Sequence, residues 1–376
     1  MFDCIVKGGT LADGLGNKPE TGDVAIKDGR IAEVGGRING LAKRVIDADG
    51  ALVTPGWIDL HTHYDGQVSW DSEMAPSSHN GVTTVVMGNC GVGFAPVLEG
   101  QEKELIELME GVEDIPGSAL HEGMEWGKWE TFPEYLDYLE TREFSLDVGA
   151  QIAHGSLRYY AMGERGRLNQ DATEDDLSLM GKLVTEALDA GAVGFSTSRI
   201  IGHRSLWGEP VPGTFAPHQE VLAIAEAMKK SSKGVFQMIP AGTVGKLESL
   251  GGEKATQQEE HDLMVQVSMQ SGRPVTFTLV QSPDYDPETW REILELTEIA
   301  NDKGAKIYPQ VSSRPIGFLT GLSGYHAFMR RPTYLREVAH LPLQEKVAVM
   351  SKPEIRNAIL EEVDIPPEEP GSMENV

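Results

Sequence analysis

Seven short apolar runs follow the first fifty-five residues of this chain, with helical stretches between them. They are Trp57 to Leu60, Thr83 to Met87, Asp147 to Ile152, Ala192 to Ser196, Gly234 to Met238, Pro274 to Leu279 and Lys306 to Tyr308. Strand alternating with helix calls for parallel strands joined by crossover helices, because parallel neighbours cannot be linked by a tight turn. The clearest helices are Glu174 to Ala190, ended by Gly191, and Pro287 to Lys303, ended by Gly304. Another is expected near Lys352 to Val363. The pattern implies an α/β architecture, a TIM-like (β/α)8 barrel with seven strands visible. No eighth strand is legible beyond Tyr308, which leaves open whether the barrel closes or the chain is incomplete.

The residues before Thr54-Pro55-Gly56 follow a different pattern. Asp3 to Lys7, Asp23 to Ile26, Ile31 to Val34 and Arg44 to Ile46 read as short strands around tight turns such as Asp28-Gly29. They predict a small antiparallel sheet. A length of 376 residues exceeds the ~250 of a typical barrel domain, so residues 1–55 are expected as a small β portion and 56–376 as the barrel. Insertions at Leu98 to Phe144 and His203 to Pro217 follow strands, on the side where barrels carry their loops. Ile365 to Gly371 reads as a disordered tail.

With 58 acidic against 32 basic residues, the formal net charge of -26 opposes binding to nucleic acid or to anionic lipid. Met1 to Thr10 has neither a basic stretch nor an apolar run suited to export, so the expected location is cytoplasmic. Cys4 and Cys90 are too few for a disulfide framework, and Cys90 is either a packed thiol or a working one.

The sharpest motif is Asp59-Leu60-His61-Thr62-His63-Tyr64-Asp65, an apolar strand ending in two histidines at i, i+2. Alternation along a strand turns both imidazoles to one side, which at the mouth of a barrel is half of a metal site. On a surface loop the same pair would mean little. A second strand runs into Gly88-Asn89-Cys90-Gly91, whose thiol is either a zinc ligand or a small residue packed in a tight loop.

Together, His61-Thr62-His63 and Gly88-Asn89-Cys90-Gly91 resemble the amidohydrolase superfamily, in its branch of N-acyl-D-amino-acid deacylases (D-aminoacylases). The likeness covers residues 2 to about 320, with its specific motifs in the first 95. It implies a metal-dependent hydrolase of non-peptide carbon–nitrogen bonds, a small-molecule N-acyl amino acid or related amide as substrate, and a small N-terminal β-sandwich portion. It also implies that Cys90 replaces the carboxylated lysine used elsewhere, and the fourth strand here contains no lysine.

The chain departs from that pattern where the deacylases place histidines after strands five and six, reading Gln237-Met238-Ile239-Pro240 and Thr278-Leu279-Val280-Gln281 instead. The aspartate expected after strand eight has no legible counterpart, and Asp65 is only a weak substitute. One zinc on His61, His63 and Cys90 is therefore expected rather than two. His154, His203 and Arg314 are substrate-binding candidates, each with a structural alternative: a loop histidine for the first two, a surface salt bridge for the third. His79 reads as a helix-capping residue, and Trp126 and Trp129 as a lid or as packing in the loop after strand two. The rival functions are a cyclic amidase of the dihydroorotase or hydantoinase kind and a catalytically silent barrel fragment. Oligomeric state is not legible.

Overall fold

Alternating side chains build the N-terminal sheet. β1 (Phe2–Leu11), β2 (Glu20–Lys27) and β3 (Arg30–Val34) form an antiparallel meander, with Asp28 and Gly29 of the β2–β3 turn both at positive φ, 52° and 71°. In this computed structural model, residues 1–205, 207–247, 252–281, 287–312, 321–322 and 326–365 are described. β4 (Ala42–Asp47) and β5 (Leu52–Val53) join β1 in parallel. The sheet expected to be antiparallel is thus mixed, because the segment after β3 returns to the start of β1, where Ala42 pairs with Phe2. Ile5, Ala25 and Ile38 form its core against Phe2 and Ala42. The buried Asp23 carboxylate accepts from the Gly8 and Ile38 amides, each at 2.9 Å. This sheet lies in a compact unit of Met1–Asp59, Ala75–Val85 and Ser145–Asp147.

The second unit comprises Leu60–Met74, Val86–Phe144 and Val148–Val376. The chain's larger sheet has seven strands: β6 (Trp57–Asp59), β7 (Val82–Met87), β8 (Asp147–Ala153), β9 (Gly194–Ser198), β10 (Val235–Ile239), β11 (Val275–Thr278) and β12 (Ile307–Gln310). They stand in strict chain order, parallel wherever the register is described. Each strand adds to the same edge, so the crossovers share one sense and the sheet curls as in a (β/α) barrel. No eighth strand pairs with it among the described residues.

Strand parity divides the two faces. Phe195 on β9 registers with Phe236 on β10, both fully buried, and their rings lie 5.1 Å apart. One residue on, Ser196, Gln237 and Thr276 of β11 share a register row on the opposite face. The apolar row packs beneath the helices, and the polar row faces the interior.

Between β7 and β8 lie α1 (Glu102–Glu113), α2 (Gly117–Gly123) and α3 (Phe132–Glu140), so much of the insertion read as loop is helical. Leu105, Ile106, Leu108 and Met109 give α1 its buried stripe. After α4 (His154–Met162) and α5 (Glu164–Arg167), α6 (Glu174–Ala190) starts on a capping box in which Thr173 and Asp176 satisfy each other's backbone amides, and stops at Gly191. α7 (His218–Ser231), α8 (Gln257–Ser271) and α9 (Thr289–Asp302) complete the crossovers, and α10 (Pro332–Glu337), α11 (Leu343–Met350) and α12 (Pro353–Glu361) follow β12.

His79 sits in a short 3-10 turn, Ser78–Asn80, ended by Gly81 at φ 81°. Trp129 is a packing residue: it is 5% exposed, donates its indole N–H to Phe94 O at 2.8 Å and lies 5.0 and 4.9 Å from the rings of Tyr135 and Tyr138. Trp126 packs edge-on against Phe94. Arg314 and the stretch after Ile365 lie outside the described residues. Among the described residues no helix is long and apolar enough to cross a membrane.

Phe236→Ala is expected to cost about 3–5 kcal/mol, because it empties the centre of the apolar row. Urea denaturation of the two proteins checks it.

Candidate metal centre

Thr62 decides where the two histidines point. Its N–H and its hydroxyl both donate to Val86 O, at 3.0 and 2.8 Å, and its carbonyl accepts from Asn89 Nδ2 at 3.2 Å. β6 ends at Asp59, so both histidines follow the strand, and with Thr62 fastened to β7 between them His61 and His63 both turn to Cys90.

Cys90 arrives on a loop that only particular residues can form. Gly88 has φ 78°, and a Cβ there would stand 2.2 Å from Gln151 O. Cys90 itself is left-handed at φ 55°, the kind of backbone strain that surrounding structure must enforce. The enforcing contact is Ser196 of β9: its hydroxyl donates to Gly88 O and accepts from the Gly91 amide. Gly155 N–H holds Gly91 O at 2.8 Å.

These two anchorages bring three donor atoms together. Cys90 Sγ lies 3.1 Å from His61 Nε2 and 3.5 Å from His63 Nε2, and all three atoms fall within 4.8 Å of one another. Tetrahedral zinc with N and S ligands at about 2.0–2.1 and 2.3 Å sets neighbouring donors roughly 3.3–3.6 Å apart, so the set fits such an ion. Gln310 at the end of β12 orients the first of them. Its Nε2 donates to Thr276 Oγ1 at 3.2 Å, which presents Oε1 to His61 Nδ1 at 2.9 Å and directs the lone pair of Nε2 to the cluster.

Two carboxyls adjoin. Asp65 is 3% exposed, Oδ2 has no hydrogen-bond partner, and burial pushes its carboxyl up to about 7. Glu113, the last residue of α1, places Oε1 3.3 Å from His63 Nε2; burial, then the charge of Asp65, pushes it up to about 8. Burial and then Glu113 push the Cys90 thiol up, while burial and then His61 hold His63 down. Acids and bases are thus all driven toward their neutral forms, the setting that a divalent cation would reverse.

His203 lies in the loop after β9, its Nδ1 2.9 Å from Ser198 Oγ, and burial followed by the charge of His61 holds it down at about 4. His154 is placed otherwise. It is 1% exposed, and its ring nitrogens meet Thr197 Oγ1 at 2.8 Å and Glu220 Oε1 at 2.9 Å, with Arg158 also on Glu220. A Cβ on Gly213 (φ 105°) would lie 2.5 Å from His154 Nδ1, so the loop carrying His203 rests on this ring. His154 therefore supports that loop, with both nitrogens engaged. Burial opposes ionisation of Glu220, but the hydrogen bond and charge of His154, then the charge of Arg158, hold its carboxyl down at about 2.

Sequence reasoning missed Glu113, Gln310 and Gln237. Gln237 is 1% exposed and neither amide atom has a hydrogen-bond partner, although its register neighbours Ser196 and Thr276 brace the Cys90 loop and Gln310. Glu113 did leave a signal: it and Asp114 put two acids at the carboxyl end of a helix, where the dipole disfavours them.

Donors gathered beyond the carboxyl ends of parallel strands stand where barrel enzymes carry their active sites, and the chain belongs to the amidohydrolase family, whose model matches residues 44–362. It is similar to a D-aminoacylase of Alcaligenes xylosoxydans xylosoxydans, 33% identical over 196 residues that make up 52% of this chain and 37% of that protein. A solved D-aminoacylase, described for its binuclear metal center with one-metal activation and second-metal attenuation, superposes with a TM-score of 0.65 at 25% identity, covering 83% of this chain and 58% of that one. An N-acyl-D-glutamate deacylase from Bordetella bronchiseptica, complexed with zinc and a phosphonate mimic of the tetrahedral intermediate, shares the fold with a TM-score of 0.64 at 24% identity, over 84% of this chain and 59% of that one. The match thus spans less than two thirds of each relative's length.

Gln310→Leu is expected to weaken zinc binding by about 10- to 100-fold while the fold persists, as read by competition with a chromophoric chelator. Glu220→Gln should destabilise by about 3–5 kcal/mol at neutral pH, because Arg158 is left buried without a counter-charge. Since the folded carboxyl lies at about 2 against an ordinary 4.5, its contribution is complete above about pH 4.5 and lost as pH falls toward 2. The stability gap between wild type and Glu220→Gln, followed by urea midpoints, should therefore close over that window.

Proposed function

We propose that this chain hydrolyses the amide of N-acyl-D-amino acids with one zinc ion held by His61, His63 and Cys90. The convergence of those three donors within 4.8 Å carries the reading. The similarity to a D-aminoacylase and to a zinc-bound deacylase supports the substrate class, and one-metal activation in the solved D-aminoacylase supports a single ion.

When bound, zinc supplies a Lewis acid that polarises a carbonyl oxygen and acidifies water toward a pKa of ~7. The rest is the work of the chain's own groups. Asp65 Oδ2, buried beside the cluster with no partner, takes the proton as water adds to the acyl carbon, and returns it to nitrogen as the carbon–nitrogen bond breaks. Gln237 offers a donor and an acceptor to the amide from the interior face of β10. His203, with Ser198 on its Nδ1, faces the acyl group, and Arg314, outside the described residues, is the candidate partner of the substrate carboxylate. A reducing, cytoplasmic setting suits a site whose Cys90 must remain a thiol.

Purified protein supplied with zinc should carry about one ion per chain by elemental analysis and lose it in His61→Ala and Cys90→Ala. It should release free amino acid from N-acetyl-D-amino acids and leave a hydantoin intact; the reverse preference would replace this reading with a cyclic amidase. Asp65→Asn should keep its zinc and lose about 100-fold or more in kcat.

A further inference from the structure

We infer that the carboxylate of Glu113 is a fourth protein ligand of the metal centre, delivered by a helix of the insertion between β7 and β8 rather than by a strand of the barrel. The inference rests on the proposed zinc site of His61, His63 and Cys90 and deepens it.

Placement comes first. Glu113 Oε1 is buried, lies 3.3 Å from His63 Nε2 and has no hydrogen-bond partner. The carboxyl also lies near the Cys90 thiol, whose ionisation its charge opposes. The oxygen therefore stands beside one of the three donor atoms, His63 Nε2, at the spacing expected between neighbours on one ion, roughly 3.3–3.6 Å. α1 holds it there through the buried side chains of Leu105, Leu108 and Met109.

Charge points the same way. A divalent ion with two neutral imidazoles and one thiolate keeps a net positive charge in a buried place, and one carboxylate cancels it. The helix supplies an independent reason. Glu113 ends α1 and Asp114 follows at φ 56°, so an acid occupies the end of the helix that repels it, and a cation at that end offsets the cost. Zinc can expand to five donors, so four protein ligands would leave one position, for the water that adds to the acyl carbon.

The test is metal binding by the full chain, with zinc affinity from chelator competition and cobalt(II) substitution followed by absorption. Wild-type protein should take up one cobalt with a thiolate charge-transfer band. Glu113→Gln should keep that band, bind at least about tenfold more weakly and show altered d–d bands. Glu113→Asp, which keeps a carboxylate, should recover part of the affinity, and Glu110→Gln, one turn back on α1, should match wild type. Circular dichroism identifies a variant that fails to fold, in which case the aspartate variant decides: weaker binding with altered d–d bands supports ligation, and wild-type affinity with wild-type bands opposes it. Affinity and d–d bands of folded Glu113→Gln equal to wild type would overturn the proposal and leave the three-residue site intact. Absence of binding to wild type would overturn both.

Discussion

Parity along a strand is the constraint from which the rest of this molecule follows. Phe195 and Phe236 must face the helices to be buried, so Ser196 and Gln237, one residue on, must face the interior. That polar row is the platform of the site. Ser196 ties down both glycines around Cys90, and Thr276 in the same row fixes the amide of Gln310, which orients His61. A slip of one residue in any of these strands would put a polar group under the helices and remove a brace from the metal centre.

The site's electrostatics are those of neutral groups crowded into a largely buried place. Burial raises the Asp65 and Glu113 carboxyls and the Cys90 thiol, and it lowers His63 and His203. As a structural network the set is incomplete, because His63 Nδ1, Asp65 Oδ2 and Glu113 Oε1 have no hydrogen-bond partner. It gains coherence around a cation, which imidazoles, thiolate and carboxylates can all face. Glu220 with Arg158 and His154 is a buried paired cluster, with Arg158 Nε and Glu220 Oε2 left over, and reads as support for the loop that carries His203.

Much of the fold was legible in the sequence because its signals are local. The seven apolar runs fall within a residue or two of β6 to β12, and α6 begins at its Thr173 cap and ends before Gly191. Where the expectation failed, non-local pairing was responsible. The N-terminal sheet is mixed because β4 returns to the far end of β1, and the helices between β7 and β8 were obscured by short lengths and by glycines and prolines around them.

His61, His63 and Cys90 stood out in the sequence because each follows closely on an apolar strand, although the direction of each side chain is fixed by non-local contacts, Thr62 with Val86 and Ser196 with the Cys90 loop. Sequence likewise determined the parallel order of elements and the acidic surface. Only the tertiary structure decided which distant groups share the site: Glu113 arrives from an insertion helix, Gln310 from the last strand of the sheet, and His154 turns away to hydrogen-bond with the buried Glu220. The reason is physical. Direction along one strand follows from a period of two, whereas proximity across 50 to 249 residues depends on how packed elements meet in space, which no local pattern encodes.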